Sequence, residues 1–143
     1  MPAIVRSASL ITLALVYLYA DAESEINDLF GSAAAALVEV NVPKFMSVFE
    51  KNMPDYEKLK TEVETLTNQS EVSSSIEPIK NEGDARKRSV DLDWYLEIRS
   101  LLQDGPIVHR REVIHCELEK DKKGWRIISL KPVDFFAPAA LAR

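Results

Sequence analysis

The chain has 143 residues, 46% of them hydrophobic, enough to bury one sizeable core, and nothing in it points to a second. Eighteen basic against twenty-three acidic residues leave a formal charge of -5 with no compensating basic stripe, which excludes nucleic acid or an anionic membrane surface as the expected partner. A single cysteine, Cys116, excludes an internal disulfide and reads as a buried, inert thiol.

In chain order, the first segment reads as a leader. Arg6 is the only charged side chain before Asp21, Ala8 to Ala20 is almost continuously apolar, and Ala20-Asp21-Ala22 has the small-x-small form of a signal-peptidase site. Residues 1–22 are therefore expected to direct export to the periplasm or exterior, with the mature chain starting at Glu23 and no stable membrane span left after processing. The alternative is an apolar first helix of the domain, which residues 23–138 would otherwise form with residues 139–143 as a tail.

Ile26, Leu29, Phe30, Ala33, Leu37 and Val40 recur at three- and four-residue spacing and predict a helix from about Ser24 to Val40. Asn41-Val42-Pro43 opens a short second helix carrying Phe45, Val48 and Phe49. A third places Tyr56, Leu59, Val63 and Leu66 on one side and loses its period near Asn68.

From Ser70 the period changes to two. Val72, Ser74, Ile76, Pro78 and Lys80 suit a modest strand, which Pro78 assigns to an edge. Val90, Leu92, Trp94, Leu96 and Ile98 alternate with Asp91, Asp93, Tyr95, Glu97 and Arg99, the clearest half-buried strand in the sequence. After a turn at Gln103–Pro106, Ile107 to Lys120 runs back, and Trp125 to Phe136 returns as the last strand. The run Arg86-Lys87-Arg88, beside Glu82 and Asp84, reads as solvated.

The expected register sets Val90, Leu92 and Trp94 opposite Leu118, Cys116 and Ile114, so that apolar meets apolar. Arg110 and Glu112 then point inward beside Ile98 and Leu96, two ionisable groups on an apolar face that suggest a pocket mouth lined by Trp94, Leu96 and Ile98. On the outer face the same register sets Asp93 opposite His115, Glu97 opposite Arg111 and Tyr95 opposite Val113, an amphipathic surface suited to a homodimer.

No metal site is expected. Asp91 and Asp93, about 6.6 Å apart along their strand, lie on the polar face, and His109 and His115 are separated by roughly 20 Å of extended chain.

Three helices followed by a long antiparallel meander ending Gly124-Trp125-Arg126-Ile127-Ile128-Ser129-Leu130-Lys131-Pro132-Val133-Asp134-Phe135-Phe136 resemble the nuclear-transport-factor-2-like superfamily, which includes SnoaL-like cyclases and ketosteroid isomerases. The resemblance covers Glu23 to Pro138 and implies an α+β fold: helices packed on a curved antiparallel sheet, cone-shaped, with an interior pocket and often a dimer through the sheet. It spans enzymes and non-enzymes alike. Enzymes of this kind use an inward carboxylate as general base, and Glu112 is the one candidate, although Arg110 two residues along would hold it in a structural pair. The expectation is an exported domain with a small-ligand-binding or structural role in a cone-shaped pocket, taking a small apolar ligand and no cofactor. The alternative is a cyclase- or isomerase-like enzyme acting on a small apolar substrate.

Overall fold

The computed structural model describes residues 21–139. The expected leader lies outside the described residues except for Asp21 and Ala22, which are helical, and Ala22 is buried in the core.

Residues 21–38 run as helix α1 and bury Ala22, Ile26, Phe30, Ala33 and Leu37, one stripe at three- and four-residue spacing. The helix stops two residues short of its apolar period. Asn41 N–H donates to the Ala36 carbonyl (2.8 Å) and Val40 N–H to that of Leu37 (3.2 Å), a paired closure that throws Val40 into the left-handed region at φ 57°. Val40 is consequently 53% exposed and leaves the stripe on which its spacing had placed it.

Asn41 then caps α2 (Val42–Met46) through its side-chain oxygen, which accepts from Lys44 N–H at 3.1 Å, and Pro43 sits in the first turn where its missing N–H costs nothing. Phe45 and Met46 point into the core, as does Phe49 just beyond. Helix α3 (Tyr56–Gln69) buries Leu59, Val63 and Leu66.

Four strands follow as an antiparallel meander, β1 (Ser70–Gly83), β2 (Lys87–Ser100), β3 (Ile107–Asp121) and β4 (Gly124–Lys131), in spatial order β1-β2-β3-β4. Pro78 does lie on the edge strand, opposite Leu92, and the register slips between Pro78 and Lys80. Gly83, at φ 141°, allows the β1–β2 turn, since a Cβ there would lie 2.1 Å from the Lys87 carbonyl oxygen. The Arg86–Arg88 run is only partly solvated. Arg88 is buried, donating to the Asn81 side chain (2.6 Å), the Asn81 carbonyl (3.0 Å) and the Asp84 carbonyl (3.3 Å), and so ties the turn together.

The other free edge of the sheet is partly covered. Glu50 N–H donates to the Ile127 carbonyl and Ile127 N–H to that of Val48, each at 2.9 Å, so the stretch after α2 adds a short parallel bridge to β4.

Two expectations need correction. The β2–β3 pairing keeps the expected parity but slides by two residues: Val90 faces Cys116, Leu92 faces Ile114, Trp94 faces Glu112 and Leu96 faces Arg110. The hairpin closes at Ser100 N–H to the Pro106 carbonyl, around a loop held by Gly105 N–H to Leu102 O and by Asp104 at φ 62°, a tighter closure than the expected register, which would have set Ser100 opposite Val108, and the slide goes with it. The last strand ends at Lys131, not at Phe136. Phe135 and Phe136 are both buried, which consecutive strand residues on opposite faces cannot share, and a 3-10 turn over Val133–Phe136 turns both inward.

That turn closes the cone with aromatic rings. Trp94 stands edge-on to Phe136 at 5.0 Å and Phe30 at 6.5 Å between ring centres, with Phe135 at 6.3 Å. Phe45 bridges Phe136 (5.6 Å) and Phe49 (5.2 Å). The Trp94 indole N–H donates to Ser74 Oγ at 2.8 Å, leaving no polar atom of the ring unsatisfied. The helices and the concave face of the sheet thus meet through a packed aromatic interior.

Candidate functional site

Ionisable side chains gather where α3, β3 and the closing turn meet. Lys58 and Glu62, four residues apart on α3, share a face, and Lys58 Nζ lies 2.8 Å from Asp134 Oδ1 of the turn. Lysine and carboxylate stabilise one another's charge: Asp134 is held below the usual carboxylate range by the Lys58 ammonium. Glu62 is different. Its Oε2 is buried with no hydrogen-bond partner, and desolvation pushes its pKa up against the pull of Lys58, with Asp134 adding to the rise and Arg110 opposing it. A carboxyl in that state can hold or release a proton nearer neutrality than an exposed glutamate.

Arg110 reaches the same place from β3. Its guanidinium donates to the carbonyl oxygens of Phe135 (2.8 Å) and Ala137 (2.5 Å), pinning the chain end across the cone. Burial lowers its pKa while Glu112 and Glu62 oppose that shift.

The residues expected to line a pocket divide into two groups. Trp94, Leu96 and Ile98 are no more than 1% exposed and belong to the packed core. Arg110 is half-buried and Glu112 exposed. Among the described residues no ion pair joins them. The structural pair expected from their spacing is therefore replaced by contacts of Arg110 to the chain end: backbone carbonyls made available by the 3-10 turn compete for the guanidinium, and Glu112 stays in water. Glu62, which the sequence reading passed over, carries a signal in hindsight. It falls three residues after Leu59 in the Leu59, Glu62, Val63, Leu66 spacing, a carboxylate on an apolar stripe.

The outer face of the sheet forms a second constellation. Asp93 receives a forked contact from Arg111, with Nε to Oδ1 at 3.0 Å and Nη2 to Oδ2 at 2.5 Å. His115 is held between carboxylates, Nδ1 to Asp91 Oδ1 at 2.5 Å and Nε2 to Glu117 Oε1 at 2.8 Å, while Ser89 Oγ donates to that same Glu117 oxygen at 3.1 Å. Tyr95 and His109 stack with ring centres 6.0 Å apart and share a hydrogen bond of 2.5 Å. The slid register, with Asp91 opposite His115 and Tyr95 opposite Arg111, makes these partners in place of the expected ones. Tyr95, Asp93, Arg111, Ser75, Ile76 and Glu77 border a shallow cleft of about 440 Å³.

Cys116 is buried and its thiol pKa is driven up by desolvation, as befits an inert side chain. Among the described residues no cluster of three or more His, Cys, Asp or Glu could hold a metal, and no helix is long and apolar enough to cross a membrane.

Helices packed on a curved four-stranded meander, closed by a turn at the chain end, define the nuclear-transport-factor-2-like cone fold, and solved structures agree. A conserved protein from Planctomyces limnophilus superposes with a TM-score of 0.70 at 11% identity, covering 78% of this chain and 94% of that one. A nuclear transport factor 2-like superfamily protein from Salmonella enterica gives 0.66 at 11% identity, over 78% and 89%. A hexachlorocyclohexane dehydrochlorinase, LinA-type3, from Novosphingobium barchaimii gives 0.64 at 12% identity, over 80% and 86%. No family model matches the chain, and neither does any curated protein. The chain therefore has the nuclear-transport-factor-2-like fold, and at these identities the likeness extends to the fold alone.

Proposed function

We propose that the protein is an exported, non-catalytic interaction domain of the cone fold that works as a homodimer through the outer face of its sheet. The observation that carries this reading is the filled interior: Trp94, Phe135 and Phe136 occupy the space between helices and sheet, and Arg110 fastens the closing turn. The outer face supplies what a two-fold contact needs, an exposed apolar centre at Val113 (56% exposed) and both signs of charge in one patch, so that each copy can offer acids to the other's bases. Light scattering at micromolar concentration should give twice the mass of the chain, and Val113→Arg should return it to the monomer with an unchanged circular-dichroism spectrum and a urea midpoint that no longer depends on protein concentration. A monomeric wild type would defeat the dimer. Intact-mass analysis of protein from the source organism should find the chain starting at Glu23, and retention of residues 1–22 would defeat export.

One observation favours a second reading, an isomerase-like enzyme acting on a small apolar substrate. Glu62, with its orphaned oxygen and raised pKa, is equipped to take a proton from carbon beside a carbonyl and return it. Incubation with a small cyclic ketone in heavy water tests it. Deuterium uptake by the wild type that disappears in Glu62→Gln would displace the non-catalytic reading.

A further inference from the structure

Outside the cone, α2 and α3 leave a groove against the start of β4, and we infer that it binds small amphipathic carboxylates, molecules with a short aliphatic or aromatic body and one carboxylate. Its volume is about 380 Å³, in the lower part of the range of small-molecule sites, roughly 300–1,000 Å³. Met46, Phe49 and Tyr56 supply an apolar floor, and Lys51, Lys60 and Arg126 stand on the rim with a single acid, Glu64.

The floor is preformed. The backbone bonds between Val48, Glu50 and Ile127 fix the stretch carrying Phe49, and Arg126 adds a bond from Nη2 to the Phe49 carbonyl at 2.9 Å. A rigid floor spares a ligand the entropy of ordering it.

The charge on the rim selects the headgroup. Arg126 is already engaged by Glu50, Nε to Oε1 at 3.0 Å. Lys51 and Lys60 have no carboxylate partner among the described residues, whereas Lys58, two residues before Lys60 on the same helix, is tied to Asp134. Two unpaired ammonium groups above an apolar floor make a locally positive, amphipathic spot on a chain whose net charge is -5. An anionic head between Lys51 and Lys60 with its body on Met46, Phe49 and Tyr56 satisfies both halves; a cationic head is repelled.

Nuclear magnetic resonance titration of the full chain with sodium octanoate tests the assignment. The result expected is saturable shifts centred on Met46, Phe49, Tyr56 and Lys60, with affinity reduced by at least about tenfold in Lys51→Glu/Lys60→Glu. Octylamine should bind at least about tenfold more weakly than octanoate. Equal binding of octylamine, equal affinity in the double variant, shifts centred elsewhere, or no saturation at millimolar octanoate would each overturn the site. Val113→Arg, which addresses the sheet face, should leave octanoate binding unaltered, so the dimer and the groove fail separately.

Discussion

The two faces of one sheet have been built from the same strands by opposite means. On the concave side Val90, Leu92, Trp94, Leu96 and Ile98 lie at or below 1% exposure, and the rings around Trp94 leave little for water to reach. On the convex side Asp91, Asp93 and Tyr95, their immediate neighbours in sequence, remain half-exposed and find partners across the strands in His115, Arg111 and His109. Burial contributes roughly 25 cal/mol per Å² of apolar surface, so an indole removed from water outweighs an exposed ion pair by several-fold. Stability therefore resides on one face, while the chemistry that another molecule can meet resides on the other and at the rim.

The largest effect follows directly. Trp94→Ala removes a fully buried indole against Phe30, Phe135 and Phe136, and should cost about 3–5 kcal/mol. Asp93→Ala, one residue away, breaks only a contact to a largely exposed Arg111 and should cost no more than about 1 kcal/mol. Urea midpoints compare the two, and equal shifts would mean that the faces are not divided as described.

A smaller effect probes the rim between them. Arg110→Met leaves the carbonyls of Phe135 and Ala137 without their charged donor and should cost about 1.5–3 kcal/mol, the range for hydrogen bonds to a charged group. Glu112→Gln should be nearly neutral, and a double-mutant cycle in denaturant should give coupling near zero, since no ion pair joins Arg110 to Glu112. Coupling of about 1 kcal/mol or more would restore the inward pair that their spacing suggested.

These residues also mark how far the sequence could be read. The alternation from Val90 to Ile98 fixes which side chains face inward, because a slip of one residue would turn every apolar group to water. A slip of two preserves that pattern, so alternation cannot distinguish the expected register from the observed one; the closure of the Leu101–Gly105 loop decides it. Adjacent Phe135 and Phe136 were legible as core but not as the turn that makes both core. The destination of Arg110 depended on that turn, since the carbonyls it binds are presented there, and the site at Glu62 depended on α3 meeting Asp134 across the chain. Local period carried the elements; contacts between distant segments carried the site.

The smallest effect belongs to the outer face and is read through pH. Hydrogen bonds donated by the imidazolium first to Asp91 and then to Glu117 raise the His115 pKa above its ordinary 6.5, so the folded state binds this proton more tightly than the unfolded chain. The sign follows from that difference. The contribution is fully present below about pH 6.5, where both states are protonated and only the folded one has its carboxylates in place, and it is lost as pH rises through the higher folded value. The His115 side chain is 45% exposed, so solvent screens the pair and the amplitude should stay under about 1 kcal/mol. Urea midpoints of the wild type at acidic and alkaline pH, taken against those of His115→Gln, isolate it: the wild type should lose more stability than the variant on going alkaline, and the difference should shrink in high salt. A variant that follows the wild type across the whole range would show that the imidazole between Asp91 and Glu117 does not hold its proton more firmly than water does.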